Sequence, residues 1–99
     1  QMNTYNILGK VYLANNKYTQ SMWFYTQQGI LAKQLKNNTS YIESVLGLVQ
    51  VKIKKKDFVL ASRDLNHAEV LASSIKSNQY KAQIKDARDI IASRTSLKK

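Results

Sequence analysis

Displacing the chain by 40 residues lays its apolar positions over one another without a gap. Tyr5 falls on Val45, Leu8 on Leu48, Tyr18 on Phe58 and Ser21 on Ala61. Further along, Tyr25 falls on Leu65, Leu31 on Leu71, Ala32 on Ala72, Leu35 on Ile75 and Asn38 on Asn78. Helix breaks and apolar positions coincide together, which chance alignment would not produce. A fixed period in the range of roughly 20–50 residues marks an array of stacked units, each resting on its neighbours.

The units are helical. The 99 residues contain no proline and only three glycines, whereas a β-sandwich or barrel needs frequent turn signals. Hydrophobic content of 43%, with six Tyr, one Trp and two Phe, is enough for a folded core and argues against wholesale disorder. The length allows one small domain.

Apolar residues three and four apart predict a first helix over 3–14, with Tyr5, Leu8, Val11 and Tyr12 on one face and Ile7 and Ala14 flanking. Asn15-Asn16 ends it, because Asn tolerates the left-handed conformation after a helix. A second helix starts near Tyr18 and carries Ser21, Met22, Tyr25, Gln28, Leu31, Ala32 and Leu35, until Asn37-Asn38 stops it. Thr39 or Ser40 should cap the third helix, with Ser40 and Glu43 at capping-box spacing. Ile42, Val45, Leu46, Leu48, Val49 and Ile53 make that helix apolar around much of its girth, so it should sit between neighbours, and Lys52 to Lys56 suit its C-terminal dipole. Asp57 caps a fourth helix with Phe58, Ala61, Leu65, Ala68, Leu71, Ala72 and Ile75 inward, broken at Ser77-Asn78. A fifth, over about 79–94, carries Ala82, Ile84, Ala87, Ile90 and Ile91; the tail from Thr95 is expected to fray.

Tyr5, Leu8-Gly9, Tyr12, Tyr18, Ser21 and Tyr25 stand at the spacing of a known motif: an aromatic, Leu-Gly, Tyr, then an aromatic, a small residue and an aromatic. On these residues the first unit resembles a tetratricopeptide repeat. Gly9 and Ser21 let two helix backbones approach while the aromatics fill the space around them. Gln28 replaces the usual Ala, Lys33 stands where proline often closes the repeat, and the second copy has Val49 and Lys52 for Gly and Tyr. The period exceeds the family's usual length of about 34, as in its longer-repeat members. The resemblance implies an all-α, right-handed superhelical solenoid: one repeat over about 2–37, a second over about 40–77, and a C-terminal capping helix over about 79–94.

In this family the first helix of each repeat lines a peptide groove. By register that implies Asn3, Asn6, Lys10 and Leu13, then Glu43, Leu46, Gln50 and Lys54, with Gln83 and Asp86 from the closing helix. Asn6, Lys10 and Gly47 stand where a chaperone-tail clamp needs a Lys and two Asn, so that clamp is absent. Trp23 and Phe24 lie off the packing face, so at least one should reach the surface or a neighbouring unit.

The formal charge is +10, and the first 42 residues contain no acid. Such a balance suits nucleic acid, an anionic surface or an acidic partner, and equally a solvated lysine-rich surface. Lys52, Lys54, Lys55 and Lys56 form the one dense basic patch. Catalytic constellations are scarce. His67, the lone histidine, lies three residues from Asp64, and there is no cysteine. One His and six scattered acids offer no metal cluster, and no cofactor is expected. No apolar run approaches the roughly 18 residues of a membrane span. A chain opening Gln1-Met2 reads as a mature form or an excised piece of something longer, with its compartment left open. The reading is a non-enzymatic protein- or peptide-binding scaffold or sensor segment, of a kind placed in larger bacterial regulatory proteins, able to self-associate through exposed repeat ends. A basic nucleic-acid-binding helical repeat is the alternative.

Overall fold

The computed structural model describes residues 2–96, and every regular element among them is an α-helix. Helix α1 spans Met2–Ala14, α2 Tyr18–Gln34, α3 Asn38–Lys54, α4 Phe58–Ser74 and α5 Lys81–Ser96. The fifth helix starts two residues later than expected and continues through Thr95; the rest of the expected frayed tail, 97–99, lies outside the described residues.

Short connections at 15–17, 35–37 and 55–57 fold each helix back on its predecessor. Reversal falls to one left-handed residue per turn: Asn16 (φ 62°), Lys36 (55°), Lys56 (63°) and Lys76 (55°). These are twenty residues apart, so the backbone unit is one helix with its turn, half of the 40-residue period. In each turn the next amide reaches back five residues: Lys17 to the Tyr12 carbonyl and Asn37 to Ala32 at 2.8 Å, Asp57 to Lys52 at 2.8 Å, Ser77 to Ala72 at 2.9 Å. This is the Schellman arrangement, which satisfies the last carbonyls of the helix.

The stops expected at Asn37-Asn38 and Ser77-Asn78 therefore lie one residue late, at Lys36 and Lys76. The expected cap at Thr39 or Ser40 and the Ser40–Glu43 capping box do not form. Asn37 caps α3 instead, its side-chain oxygen accepting the Ser40 amide at 3.0 Å, while Ser40 lies buried within the helix. Asp57 holds the N-cap position of α4, but its side chain makes no capping bond.

Each helix packs on the ones before and after it; α1 also touches α3 and α3 touches α5, whereas α2 and α4 do not meet. The helices thus form two rows, α1-α3-α5 and α2-α4, and the 17 Å thickness across Cα atoms fits two layers about 8–10 Å apart. Helix α3 touches all four others, which is why Ile42, Val45, Leu46, Val49 and Val51 are buried around its circumference. The core continues through Ala61, Leu65, Ala68 and Ala72 of α4 to Ile84 and Ala87 of α5. Tyr80, just ahead of α5, joins it unannounced by the helical periodicity, its hydroxyl donating toward the Thr39 carbonyl and the Glu43 carboxylate, each 3.4 Å away. Ala82 and Ile90, expected inward, are exposed, as are Leu35 and Ile75, which sit at the C-caps of α2 and α4 where the chain turns away.

Facing pairs compensate in volume between α2/α3 and α4/α5. Tyr25 meets Gly47; forty residues on, the buried residues are Leu65 and Ala87. Gln28 meets Ser40; their counterparts are Ala68 and Tyr80, both buried. A large side chain opposite a small one is exchanged for the reverse or for two of middling size, keeping a close-packed interior at similar spacing.

Candidate binding groove

Alternate helices run the same way, so α1, α3 and α5 present parallel faces on one side of the molecule. Asn6, Lys10 and Leu13 of α1, Glu43, Gly47 and Gln50 of α3, Gln79 and Tyr80 just ahead of α5, and Gln83 in its first turn line a pocket of about 390 Å³. Tyr25 of α2 reaches it between the front helices. A Cβ on Gly9 would lie 2.7 Å from the tip of its ring, and one on Gly47 would land on the ring itself. Two helices without side chains at those points are what let the phenol through.

Every buried side-chain polar atom among the described residues has a partner. The Tyr25 hydroxyl makes no hydrogen bond there, so it opens toward space at the groove floor. Burial pushes its pKa above the ordinary phenol value. Tyr80 is raised as well, first by burial and then by the Glu43 carboxylate beside it.

Behind the groove lies Gln28, 1% exposed. Its amide nitrogen donates to the Ser40 carbonyl at 3.1 Å and hydroxyl at 3.2 Å, and its oxygen accepts from Asn6 at 3.1 Å. One side chain thereby ties α1, α2 and α3 together and aims the Asn6 amide. Its only trace in the sequence is a polar residue where the repeat pattern wants Ala. Ser21, fully buried, donates to the Gly9 carbonyl at 2.7 Å and closes α2 onto α1.

Of the residues placed in the groove by register, Asn6, Lys10, Leu13, Glu43, Gln50 and Gln83 line the pocket. Asn3 and Asp86 are exposed but lie outside its lining. Leu46 is not a groove residue: at 1% exposure it belongs to the core cluster with Leu65 and Ile84. Lys54 lines a second depression of about 500 Å³ with Ile53, Lys56, Asp89, Ile90 and Arg94. Gln50 borders both, so the amide-rich pocket and the basic depression adjoin.

The basic patch is smaller than its sequence suggests. Lys52 is half-buried and paired with Asp64, leaving Lys54, Lys55 and Lys56 exposed, with Lys56 at the turn. That pair occupies the place held forty residues earlier by Tyr12 and Phe24, whose rings stack with centroids 5.3 Å apart. It also removes Asp64 as an orienter for His67, which instead lies edge-on to Tyr41 with its Nε2 3.4 Å from the phenol oxygen. Trp23 is 54% exposed, edge-on to Tyr5 and Phe24.

No helix among the described residues is long and apolar enough to cross a membrane. Comparison with protein-family models, with curated proteins and with solved structures finds no match.

Proposed function

We propose that the chain is a non-catalytic binding module built from tetratricopeptide-like helical repeats, and that the α1-α3-α5 groove takes an extended peptide of a partner protein. The observation behind this reading is the chemistry of the groove wall. Asn6, Gln50, Gln79 and Gln83 each offer a donor and an acceptor, and Lys10 and Glu43 add one charge of each sign. A peptide backbone in extended form presents alternating N–H and C=O groups, which side-chain amides match without demanding a particular sequence. The depression at Lys54, Lys56 and Arg94 then gives the bound strand an end that prefers an acidic side chain. A scaffold or sensor role within a larger bacterial regulatory protein follows from the fold class by analogy.

Selection from a random peptide display library tests this. The wild type is expected to enrich peptides that share an acidic residue toward one end as their motif, and a Lys10→Ala/Gln50→Ala/Gln83→Ala variant to lose them while keeping its helical circular dichroism. Failure to enrich any motif, together with salt-sensitive binding of a single-stranded oligonucleotide that Lys54→Ala/Lys55→Ala/Lys56→Ala abolishes, would overturn the peptide reading in favour of nucleic acid.

A further inference from the structure

The three front helices carry the same stripe at 40-residue intervals. On α3 it is Ser44, Gly47 and Val51, all buried, with Ser44 against Gly29 and Gly47 against Tyr25 of α2. On α5 it is Ile84, Ala87 and Ile91, buried or half-buried behind α4. On α1 it is Thr4, Ile7 and Val11, and no described helix covers it: Ile7 is 52% and Val11 48% exposed. Trp23, also uncovered, lies beside Tyr5 of the same helix. The positions that elsewhere receive a neighbouring helix are here held by two large apolar side chains and a threonine, and left open.

Charge narrows the occupant. The first 42 residues hold Lys10, Lys17, Lys33 and Lys36 and no acid. Lys33 lies over the Tyr41 ring of α3, but neither α1 nor α2 has a carboxylate to offset the remaining lysines, so charge opposes self-pairing and carboxylates are preferred. The rest of the molecule shows what such a stripe accepts. Helix α4 covers α5 with Leu65, Ala68 and Ala72, one leucine and two small residues at helical spacing. We propose that the α1 stripe, together with Trp23, docks an acidic amphipathic helix of a partner protein, laid on α1 as α4 lies on α5. Its apolar stripe is a leucine followed by small residues, and its flanking carboxylates meet Lys10 and Lys17. Lys10 borders the groove as well, but Ile7, Val11 and Trp23 do not, so failure at the stripe leaves the peptide reading standing.

Trp23 is the one tryptophan in the chain, so its emission reports occupancy directly. The probes are two capped synthetic helices without tryptophan, both with a Leu-x-x-Ala-x-x-x-Ala stripe, one filled out with glutamate and the other with lysine. The glutamate helix is expected to shift Trp23 emission saturably to shorter wavelength, more weakly as salt rises, and to bind at least about tenfold more tightly than its lysine twin. Ile7→Asp/Val11→Asp is expected to weaken that binding by about tenfold or more, since the new carboxylates replace apolar contact and repel the ligand. Both positions are exposed, so its melting should stay near wild type. If it melts early, Thr4→Asp on the same stripe supplies the same readout. No saturable shift at about 1 mM peptide (an affinity worth only about 4 kcal/mol), equal binding of the two helices, or binding that survives the stripe variants would overturn the proposal. So would a concentration-dependent dimer of the protein alone that Ile7→Asp/Val11→Asp dissolves, which would give the face to a second copy.

Discussion

Tyr25 is the side chain on which the front of the molecule closes. Its ring occupies the room left by Gly9 and Gly47, so a methyl group at either position must displace an aromatic ring held on several sides. A Cβ at Gly47 would land on two atoms of that ring, so Gly47→Ala is expected to cost about 3 kcal/mol from overpacking, more than offsetting the gain of about 1 kcal/mol in helix propensity. Gly29→Ala meets a Ser44 hydroxyl at 2.9 Å and otherwise ordinary contacts, so it should cost less. Urea unfolding of the two variants checks the order, and a Gly47→Ala protein as stable as wild type would contradict it. The same burial has a titration signature. Because the folded-state pKa values of Tyr25 and Tyr80 lie above the ordinary phenol value, each binds its proton more tightly when folded. Their stabilisation is complete below about pH 10 and is lost as pH rises through the folded values. Absorbance titration at alkaline pH should show a late-ionising fraction that vanishes in denaturant and in Tyr25→Phe/Tyr80→Phe; a curve unchanged by that variant would refute the assignment. Tyr25 was legible from the sequence as a packing aromatic because it stands at its place in the repeat. Gln28 stands on the packing face by its spacing, but its polarity breaks the pattern, and Tyr80 precedes its helix; only the partners Asn6, Ser40, Thr39 and Glu43 explain them.

The helices themselves were readable, since spacings of three and four over a dozen or more residues leave little choice of period. Their turns were less so. Asparagine tolerates a left-handed backbone, yet three of the four reversals fall on Lys36, Lys56 and Lys76, and nothing about lysine marks it for that conformation. The hydrogen bonds of the Schellman turn impose that conformation against a local cost of about 1–2 kcal/mol per residue. Replacing each of the three lysines by glycine should therefore raise stability by about 0.5–1 kcal/mol, the relief being partly offset by glycine's greater freedom in the unfolded chain. Asn16→Gly should gain less. Thermal melts of the single variants test this, and a lowered melting temperature in Lys36→Gly or Lys76→Gly would show that those side chains make contacts outweighing the strain. Lys52 was misread for a related reason. In sequence it belongs to a run of lysines; in space it answers Asp64, at the position forty residues on from the Tyr12–Phe24 stack, and one-dimensional charge density does not reveal a partner twelve residues away.

At the scale of the molecule, two rows of helices give two ends of different character. Helix α5 makes two ion pairs, Lys85 with Asp89 and Arg88 with Glu69 of α4, and is suited to water; α1 leaves Ile7 and Val11 uncovered. Between the ends, the front row holds the pocket whose residues come from α1, α3 and α5 together. Groove positions carried over by register placed six side chains at the pocket and misplaced Leu46, because α3 has neighbours on more sides than α1 and α5 and so closes over one more phase of its circumference. The most direct test of the peptide-binding reading is a side-chain amide NMR titration of the wild type with a peptide enriched by selection. Saturable shifts at Asn6, Gln50, Gln79 and Gln83, with Asn15 and Asn66 unmoved, are the expected result. Shifts confined to Asn15, Asn16 and the Lys54–Lys56 turn, with the four groove amides still, would contradict it.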